Sequence, residues 1–438
     1  MIKKRPGVKL GKGGAKMADW LGRVSRGIAF ASSVLWCSTA LADTELRMTL
    51  FGGPVDIAVW QKLSADFEKT HPGIKLKVEV NDWDSYWEKL RVLVAGGTAP
   101  DVFAMDASNY PDWQARGALL KLQPFVDAEP DLLKGVFPIS LEAYKTPDGY
   151  YGLPRDIQTI ALFYNKDMFD AAGVAYPTDN WTWDDLRAAA KQLTKDKNGD
   201  GTIDQWGLFA ELIDMEVFWS SVLWSYGAEI VDGKNGKTLI GSAEAMKAWN
   251  FIAGMVLDDK SIPTSEQLRQ FGLDGFQAGV TAMSVTGHWS VPDYTPATFK
   301  WGVAPMPKGP VERATSINSA GFTISSTTQH PKEAWELLKF AIGPHAQEEL
   351  AQVGYAIPIQ EVITASPAYL VQEKAPIDHK LFVDALAYAH LKPVFKGYEE
   401  WASAVGDALH RAWSGEIPIA DAINEAVAAG DDVLANNR

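Results

Sequence analysis

The sequence predicts an α/β protein in which helices cover a parallel sheet and the chain is shared between two lobes. Two observations carry this prediction. Between residues 43 and 106, apolar strands alternate with amphipathic helices, which is the pattern of a parallel sheet. Beyond residue 150 the alternation continues without a repeat, a low-complexity linker or a long charge run, which favours two intertwined lobes over separate domains.

The first three strands are predicted over residues 46–53, 74–80 and 101–105, and helices fill the gaps between them. Residues 96–100, GGTAP, form the turn before the third strand. Because ligands of open parallel sheets lie beyond the carboxyl ends of the strands, the rim falls on Gly52-Gly53-Pro54, Asn81-Asp82-Trp83 and Asp106. Most of these residues are also ordinary turn formers, whereas the large apolar ring of Trp83 between two aspartates indicates a ligand surface.

Further elements follow in order. A strand is predicted over residues 159–164, and Thr182 with Asp185 three residues later indicates a capped helix over 181–193. The remaining predictions are helices over 217–227, 242–256 and 330–343, and strands over 279–287, 301–307 and 320–325.

Composition narrows the class of function. The chain has 438 residues, 47% hydrophobic and 22% charged, with 17 tryptophans and a net charge of -14. Such a length accommodates two lobes, and the acidic balance argues against nucleic acid or an anionic membrane as a partner.

The first 42 residues have the opposite charge balance, with eight basic residues and one acid, followed by a short apolar segment and Ala40-Leu41-Ala42. This pattern predicts a secretory signal peptide over residues 1–42 and favours it over a buried N-terminal helix. Cys37, the only cysteine, lies within it. We therefore expect an exported protein without a thiol or a spanning segment.

Catalytic and cofactor motifs are absent from the sequence after residue 42. There is no G-x-S-x-G, H-E-x-x-H or strand-associated G-x-G-x-x-G, so no enzyme activity and no cofactor is predicted. Residues 232–238, DGKNGKT, resemble part of a phosphate loop but lack its first glycine, which favours a hairpin.

Residues 196–207 place oxygen-bearing side chains at alternate positions around a glycine turn, as a calcium loop does. The twelfth position is Gly207, where calcium would need a bidentate carboxylate. A plain Asx-rich turn is the favoured interpretation, and no metal site is predicted.

Residues 286–294, TGHWSVPDY, offer His288 and Trp289. A catalytic base needs an acid and a nucleophile nearby, and neither is present in this stretch, so His288 is interpreted as structural. The indole face of Trp289 suits stacking on the C–H face of a sugar ring. Four further tryptophans are candidates for either core or ligand contact: Trp83, Trp219, Trp224 and Trp401.

Several segments together resemble the family 1 extracellular solute-binding proteins, the periplasmic sugar-binding subunits of ABC importers. They are GGTAPDVFAMD (96–106), YYGLPRDIQTIALFYNKDMF (150–169) with WTWDDLRAAAKQL, the GHW after an apolar strand, and AGFTISSTTQHPKEAWELLKFAIG (320–343). The resemblance spans residues 43–438. It implies the maltose-binding-protein-like, type II periplasmic-binding-protein fold, with one lobe of residues 43–157 plus 319–354 and another of 158–318 plus 355–438, joined by a multi-strand hinge.

The resemblance also implies a site. Trp289 matches the family's stacking tryptophan, Asp106 an acid after the third strand, and Gln158 a position where a cleft glutamate occurs in the family. Tyr355 lies at a return crossing, and Trp401 lies beside another stacking aromatic. With the candidates named above, the predicted ligand-binding residues are Asp82, Trp83, Asp106, Gln158, Trp219, Trp289, Tyr355 and Trp401.

The function implied by the resemblance is a monomeric receptor that captures a mono-, di- or oligosaccharide or glycoside and delivers it to an inner-membrane permease pair, with no nucleic acid partner and no membrane insertion. Arg155 is interpreted as half of a hinge salt bridge with a distant partner; were it to face the cleft, an anionic sugar or glycerol phosphodiester would fit. A secreted glycoside hydrolase and a chemoreceptor subunit are the remaining alternatives. Which sugar is bound is left open.

Overall fold

The computed structural model describes residues 43–272, 274–354, 356–371 and 377–437. The signal peptide predicted over residues 1–42 lies outside this part of the chain, and so does Tyr355. Within the described part, no helix combines the length and the apolarity needed to cross a membrane.

The predicted parallel sheet is present. Strands β1 (Thr44–Phe51), β2 (Ile74–Asn81) and β3 (Val102–Asp106) alternate with helices α1 (Pro54–Thr70) and α2 (Trp83–Ala95). Strand β1 pairs in parallel with both of the other strands, so all three end at one edge of the sheet. This arrangement confirms the rim predicted from the sequence, because the residues that follow each strand meet there.

Two elements extend this first sheet from the far side. After helices α3 (Tyr110–Ala115), α4 (Gln123–Ala128) and α5 (Pro138–Glu142) and the short hairpin β4 (Lys145–Thr146) and β5 (Gly149–Tyr150), strand β6 (Gly152–Pro154) joins the sheet edge. Strand β13 (Ala320–Ile324) lies antiparallel between β3 and β6, which gives the order β2-β1-β3-β13-β6.

The second sheet is organised around β7 (Asp156–Asn165), which is buried at all ten positions. Helices α6 (Lys166–Ala172), α7 (Trp183–Leu193), α8 (Ser220–Ser225), α9 (Ala243–Ala253), α10 (Ser265–Leu268) and α11 (Val291–Tyr294) follow it, with the hairpin β8 (Val231–Asp232) and β9 (Lys237–Thr238). Strands β10 (Met283–Gly287), β11 (Trp301–Ala304) and β12 (Thr315–Asn318) pair antiparallel with β7. A strand covered on both faces has no polar alternation, which explains the uninterrupted run of apolar and aromatic residues at positions 160–164.

The last part of the chain returns to both sheets. Helices α12 (Pro331–Ile342) and α13 (Pro344–Val353) follow β13, and β14 (Ile357–Pro358) pairs with the start of β7. Short helices α14 (Glu361–Thr364), α15 (Pro367–Leu370) and α16 (Lys380–Asp384) lead to β15 (Ala389–Leu391), which pairs with β12. Helices α17 (Tyr398–Trp413) and α18 (Ile419–Asn436) pack on each other and end the described chain.

Several local predictions are confirmed. Thr182 and Asp185 form the capping box of α7, and residues 232–238 span a hairpin turn in which Asp232 pairs with Lys237. Two predicted helices differ at their ends, because single π-helical turns occupy Met215–Trp219 before α8 and Gly254–Asp258 after α9.

The chain crosses between the two sheets at adjacent points. Strand β6 passes into β7 through Arg155 alone, and β12 passes into β13 through Ser319 alone. The Arg155 N–H donates to the Ala320 carbonyl at 2.7 Å, and the Ser319 hydroxyl donates to the Asp156 carbonyl at 2.8 Å. These bonds tie the two crossings together, as a multi-strand hinge requires. The lobe boundaries given above stay a prediction.

His288 lies at the end of β10 in a fully buried pair. Its Nε2 is 2.9 Å from Nδ1 of His379, and its ring stacks on Phe382 at 4.0 Å between centroids. Burial and the neighbouring ring hold the His288 pKa well below its usual range, and burial lowers the His379 pKa to about 4. His288 is therefore a neutral packing residue, as the sequence indicated.

This pair predicts an acid-sensitive stability. Below pH 6.5 both histidines are protonated in the unfolded protein but stay neutral in the folded protein, because burial lowers their pKa. The free energy of unfolding therefore falls as the pH drops. We expect His379→Asn to remove the contribution of His379 to this loss, which amounts to about 2 kcal/mol between pH 6.5 and 5. Urea unfolding of both proteins across that range measures it, and equal slopes would contradict the assignment.

Candidate binding cleft

A cavity of about 490 Å³ opens where the rim of the first sheet faces the second sheet. The first sheet contributes Phe51, the turn Gly52-Gly53-Pro54, Asp82, Trp83 and Asp106 to its walls. From the other side come Gln158 on β7, Asn318 at the end of β12, Trp289 and the residues around Glu216. Five of the predicted site residues line this one cavity: Asp82, Trp83, Asp106, Gln158 and Trp289.

Trp289 is held in place by the glycine two residues before it. Its half-buried indole folds back over Gly287, where an added Cβ would lie 2.0 Å from Cζ3 of the ring. The indole also packs against both clusters of buried hydrophobic residues. The G-x-W spacing therefore fixes the ring at the cavity wall, because only glycine leaves room for it.

A second aromatic surface comes from the first sheet. Trp83 begins α2, is 48% exposed and lines the cavity. Its ring packs edge-on against Phe51 at 4.8 Å between centroids, and Asp82 caps the helix by accepting the Ser85 N–H at 3.1 Å. The cap hydrogen bonds from Ser85 lower the Asp82 pKa, so this carboxylate is ionised at neutral pH. The cleft thus has aromatic rings on both walls.

Asp106 is anchored from three directions. It is buried and accepts the Ser108 N–H at 2.8 Å, the Asn318 side-chain N–H at 3.0 Å and the Lys392 ammonium at 3.5 Å. Asn318 and Lys392 belong to the second sheet and the segment after it, whereas Asp106 ends β3 of the first. The carboxylate therefore joins the two walls at the floor of the cleft.

Lys392 also pairs with Glu216, whose Oε2 lies 2.6 Å from Nζ. Burial raises the Glu216 pKa to about 7 although the ammonium opposes the rise, and Asp106 adds to it. Burial alone would lower the Lys392 pKa, but Asp106 and Glu216 outweigh burial and hold that pKa well above its usual value. The ammonium stays charged and balances two buried carboxylates.

Arg155 pairs with the residue beside it. Its Nη2 lies 2.6 Å from Oδ2 of Asp156, and both side chains are 3% exposed. The guanidinium also lies over the rings of Phe51 and Phe322. The expected salt bridge is present, and it joins Arg155 to the adjacent residue Asp156.

Two buried acceptors at the cavity wall have no hydrogen-bond partner among the described residues. They are Oδ1 of Asp56, whose other oxygen Oδ2 accepts the Gly53 N–H at 2.9 Å, and Oε1 of Gln158. Burial raises the Asp56 pKa against the opposing effect of Arg155. An unpaired buried acceptor is costly, so both atoms are available to a hydrogen-bond donor that enters the cavity.

Trp219 and Trp401 line an adjoining cavity of about 610 Å³ that shares Trp83, Asp106, Asp214 and Glu216 with the first. Both rings are buried in the core beside the second sheet, and their indole N–H groups donate to the Ile213 carbonyl and the Thr238 hydroxyl. Trp224 lies apart from both cavities, stacked on His390 at 4.9 Å. Contact of Trp219 and Trp401 with a ligand stays a prediction.

The loop at residues 196–207 binds its own backbone. Asp196 accepts the N–H groups of Gly199 and Gly201, and Asp200 accepts that of Thr202. Among the described residues, no group of three histidines, cysteines or carboxylates is placed to hold a metal ion. The oxygens act as Asx-turn acceptors.

Sequence reasoning missed Glu216, Lys392, Asn318 and Asp293, all of which lie at the cleft. Glu216 directly precedes the predicted aromatic helix at residues 217–227. An acidic residue at the start of that helix could have been named as a candidate for ligand binding. Lys392 lies in a short strand-to-helix connection with no motif around it. Its role depends on two carboxylates that are 176 and 286 residues away in the chain.

Gly287→Ala tests the packing of Trp289. The new methyl group must displace the indole, which overpacks the wall, so we expect the free energy of unfolding to fall by about 1–3 kcal/mol. Gly233→Ala is the control, because an added Cβ there meets nothing within 4 Å. Urea unfolding compares the two, and equal effects would contradict the close approach.

Lys392→Met tests the ion pairs of the cleft floor. Removing the ammonium leaves buried carboxylates uncompensated, so we expect a loss of about 3 kcal/mol at pH 8. The loss should shrink near pH 5.5, because Glu216 then takes up a proton and its raised pKa favours the folded state. Adding Glu216→Gln should restore part of the stability at pH 8. A pH-independent loss in urea unfolding would contradict this account.

Comparison with known proteins identifies the family to which this architecture belongs. The family model described as bacterial extracellular solute-binding protein matches residues 53–348. A binding protein of Brucella abortus is 27% identical over 420 residues, which cover 93% of this chain and 98% of that protein. A galactooligosaccharide-binding protein of Bacillus subtilis is 24% identical over 331 residues, 71% of this chain and 72% of that protein.

Among solved structures, an ABC substrate-binding protein of Listeria monocytogenes in complex with cycloalternan superimposes with a TM-score of 0.82. It is 26% identical and the match covers 90% of this chain and 99% of that one. The predicted two-lobed fold is thereby confirmed. This chain belongs to the family of bacterial extracellular solute-binding proteins.

Proposed function

We propose that this protein is a non-catalytic receptor that captures a sugar in the cleft between its lobes and delivers it to the permease pair of an ABC transporter. The observation that carries the proposal is the pairing of aromatic faces with hydrogen-bond acceptors in one cavity. Trp289 and Trp83 offer apolar faces from opposite walls, and Asp56, Gln158 and Asp82 offer acceptors. A sugar ring needs both, because it has apolar C–H faces and hydroxyl edges.

The names of similar proteins support the class of ligand. The Bacillus subtilis relative is named for galactooligosaccharides, and the Listeria monocytogenes structure contains cycloalternan. An oligosaccharide, disaccharide or monosaccharide is therefore the proposed ligand here. The anionic alternative is less well supported, because the Arg155 guanidinium lines the cavity but is already paired with the carboxylate of Asp156.

Capture proceeds by closure of two lobes, 43–157 plus 319–354 and 158–318 plus 355–438, about the crossings at Arg155 and Ser319. A sugar that touches both walls binds the closed form more tightly and shifts the equilibrium by that difference in affinity. The closed form is then the one recognised by the permease pair. We place the receptor in the periplasm as a monomer, exported by the segment 1–42.

Trp289→Ala tests this function. A thermal-shift panel of mono-, di- and oligosaccharides first identifies a stabilising sugar, since a ligand of the native state raises the melting temperature. Loss of the indole platform should then weaken calorimetric affinity for that sugar by about 10-fold to 100-fold. Trp289→Phe keeps an aromatic face and should weaken it less.

Unchanged affinity in Trp289→Ala, with its melting temperature retained, would overturn the platform role. Incubation of the same sugars with the wild-type protein separates a receptor from a hydrolase. Chromatography should return every sugar intact, whereas shortened products would establish catalysis.

A further inference from the structure

The cleft carries a large excess of negative charge. Of the described residues that line the cavity, seven bear carboxylates and Arg155 is the one base. The carboxylates are Asp56, Asp82, Asp106, Asp156, Asp214, Glu216 and Asp293. Lys392 reaches Asp106 and Glu216 from the adjoining cavity, so two cations face seven formal negative charges.

The buried cations are already committed. Arg155 is paired with Asp156, and Lys392 is shared between Asp106 and Glu216. This leaves Asp56, Asp82, Asp214 and Asp293 without a basic side chain at salt-bridge distance among the described residues. Carboxylates inside a cleft with low-dielectric walls focus a negative potential and raise the local concentration of cations. A neutral sugar gains nothing from that potential.

Asp56 and Asp293 line the same cavity from opposite walls. Asp56 lies in the first turn of α1 on the first-sheet side, and Asp293 lies in α11 four residues after Trp289. Although Asp293 keeps an exposed surface, loss of water within the cleft raises its pKa, and the carboxylates of Asp274 and Asp56 raise it further. The two carboxylates repel each other, and a cation between them would relieve that repulsion.

A second, independent observation indicates what this region accepts. Asp56 is 9% exposed, Gln158 is 5% exposed, and each has a buried oxygen with no hydrogen-bond donor among the described residues. Both oxygens can only accept. Trp289 adds an indole face, which attracts an ammonium through its π electrons as well as stacking on a sugar ring.

From this combination we infer that the ligand is a sugar bearing a protonated amine, with the ammonium held near Asp56, Asp293 and Trp289. The inference rests on the proposed sugar-binding function and narrows its substrate class. An amino sugar supplies the positive charge that the carboxylates lack, the hydrogen-bond donors that the unpaired oxygens lack, and the ring that the aromatic walls cover.

Isosteric ligand pairs test the inference. The probes are glucosamine and glucose, galactosamine and galactose, and mannosamine and mannose, together with the β-1,4-linked trimers of glucosamine and of glucose. Glucuronate and putrescine serve as an anionic sugar and a sugar-free cation. Within each pair that binds, the amino sugar should bind about tenfold or more tightly than the neutral sugar when affinity is measured by calorimetry in low salt. This preference should shrink severalfold at high ionic strength, because salt screens exposed charge.

Variants locate the effect. Asp293→Asn removes a cleft carboxylate whose side chain makes no hydrogen bond or salt bridge among the described residues, and it should reduce the amine preference about threefold or more. Asp82→Asn removes a second carboxylate while keeping the helix cap, because asparagine caps equally well. Asp148→Asn is the matched control, since Asp148 is exposed in the turn between β4 and β5 and lies outside the cavity. It should leave the preference unchanged.

The outcomes separate this inference from the proposed function. Neutral sugars that bind as tightly as their amines, or a preference for glucuronate, would overturn the inference and leave sugar capture intact. Equal loss of the amine preference in Asp148→Asn and Asp293→Asn would also overturn it, because overall charge would then explain the preference. Binding of putrescine with no sugar binding at all would overturn both.

Discussion

The cleft depends on how the chain crosses between its two sheets. At the crossings, single residues separate β6 from β7 and β12 from β13, and hydrogen bonds from the Arg155 N–H and the Ser319 hydroxyl lock the two crossings together. Asp156 accepts the Ala320 N–H at 3.2 Å and pairs with Arg155. This constraint brings the carboxyl ends of β1, β2 and β3 in the first sheet opposite the end of β10, which Trp289 follows. Neither wall alone would make a binding site.

The aromatic rings of the cleft provide apolar contact, and its carboxylates provide charge. Rigid rings are held by close packing, Trp289 over Gly287 and Trp83 against Phe51. Between them, buried ion pairs fix the floor, and the carboxylates that remain give the cleft its negative field. Such a division suits reversible capture, because the rings and the floor are preorganised and little ordering is needed when a ligand enters.

Much of this was predictable from the sequence, because local signals carried it. Alternating strands and helices predicted the parallel sheet, and the strand ends predicted the rim with Asp82, Trp83 and Asp106. The indole face of Trp289, together with the family resemblance, indicated its place at the cleft. The rest depends on contacts between residues far apart in the chain. Lys392 meets Asp106 only after folding, Arg155 finds its partner in the adjacent residue, and the buried positions of Trp219 and Trp401 follow from helix packing that periodicity alone does not resolve.

The central claim is that a sugar is enclosed between the two aromatic walls at the crossing of the sheets. Crystal structures of the protein with and without a stabilising sugar test it most directly. The account predicts a sugar ring stacked on the indole of Trp289, its hydrogen-bond donors directed at the acceptors of the opposite wall, and a smaller angle between the lobes than in the ligand-free crystal. A sugar bound away from Trp289, or the same lobe angle in both crystals, would contradict it.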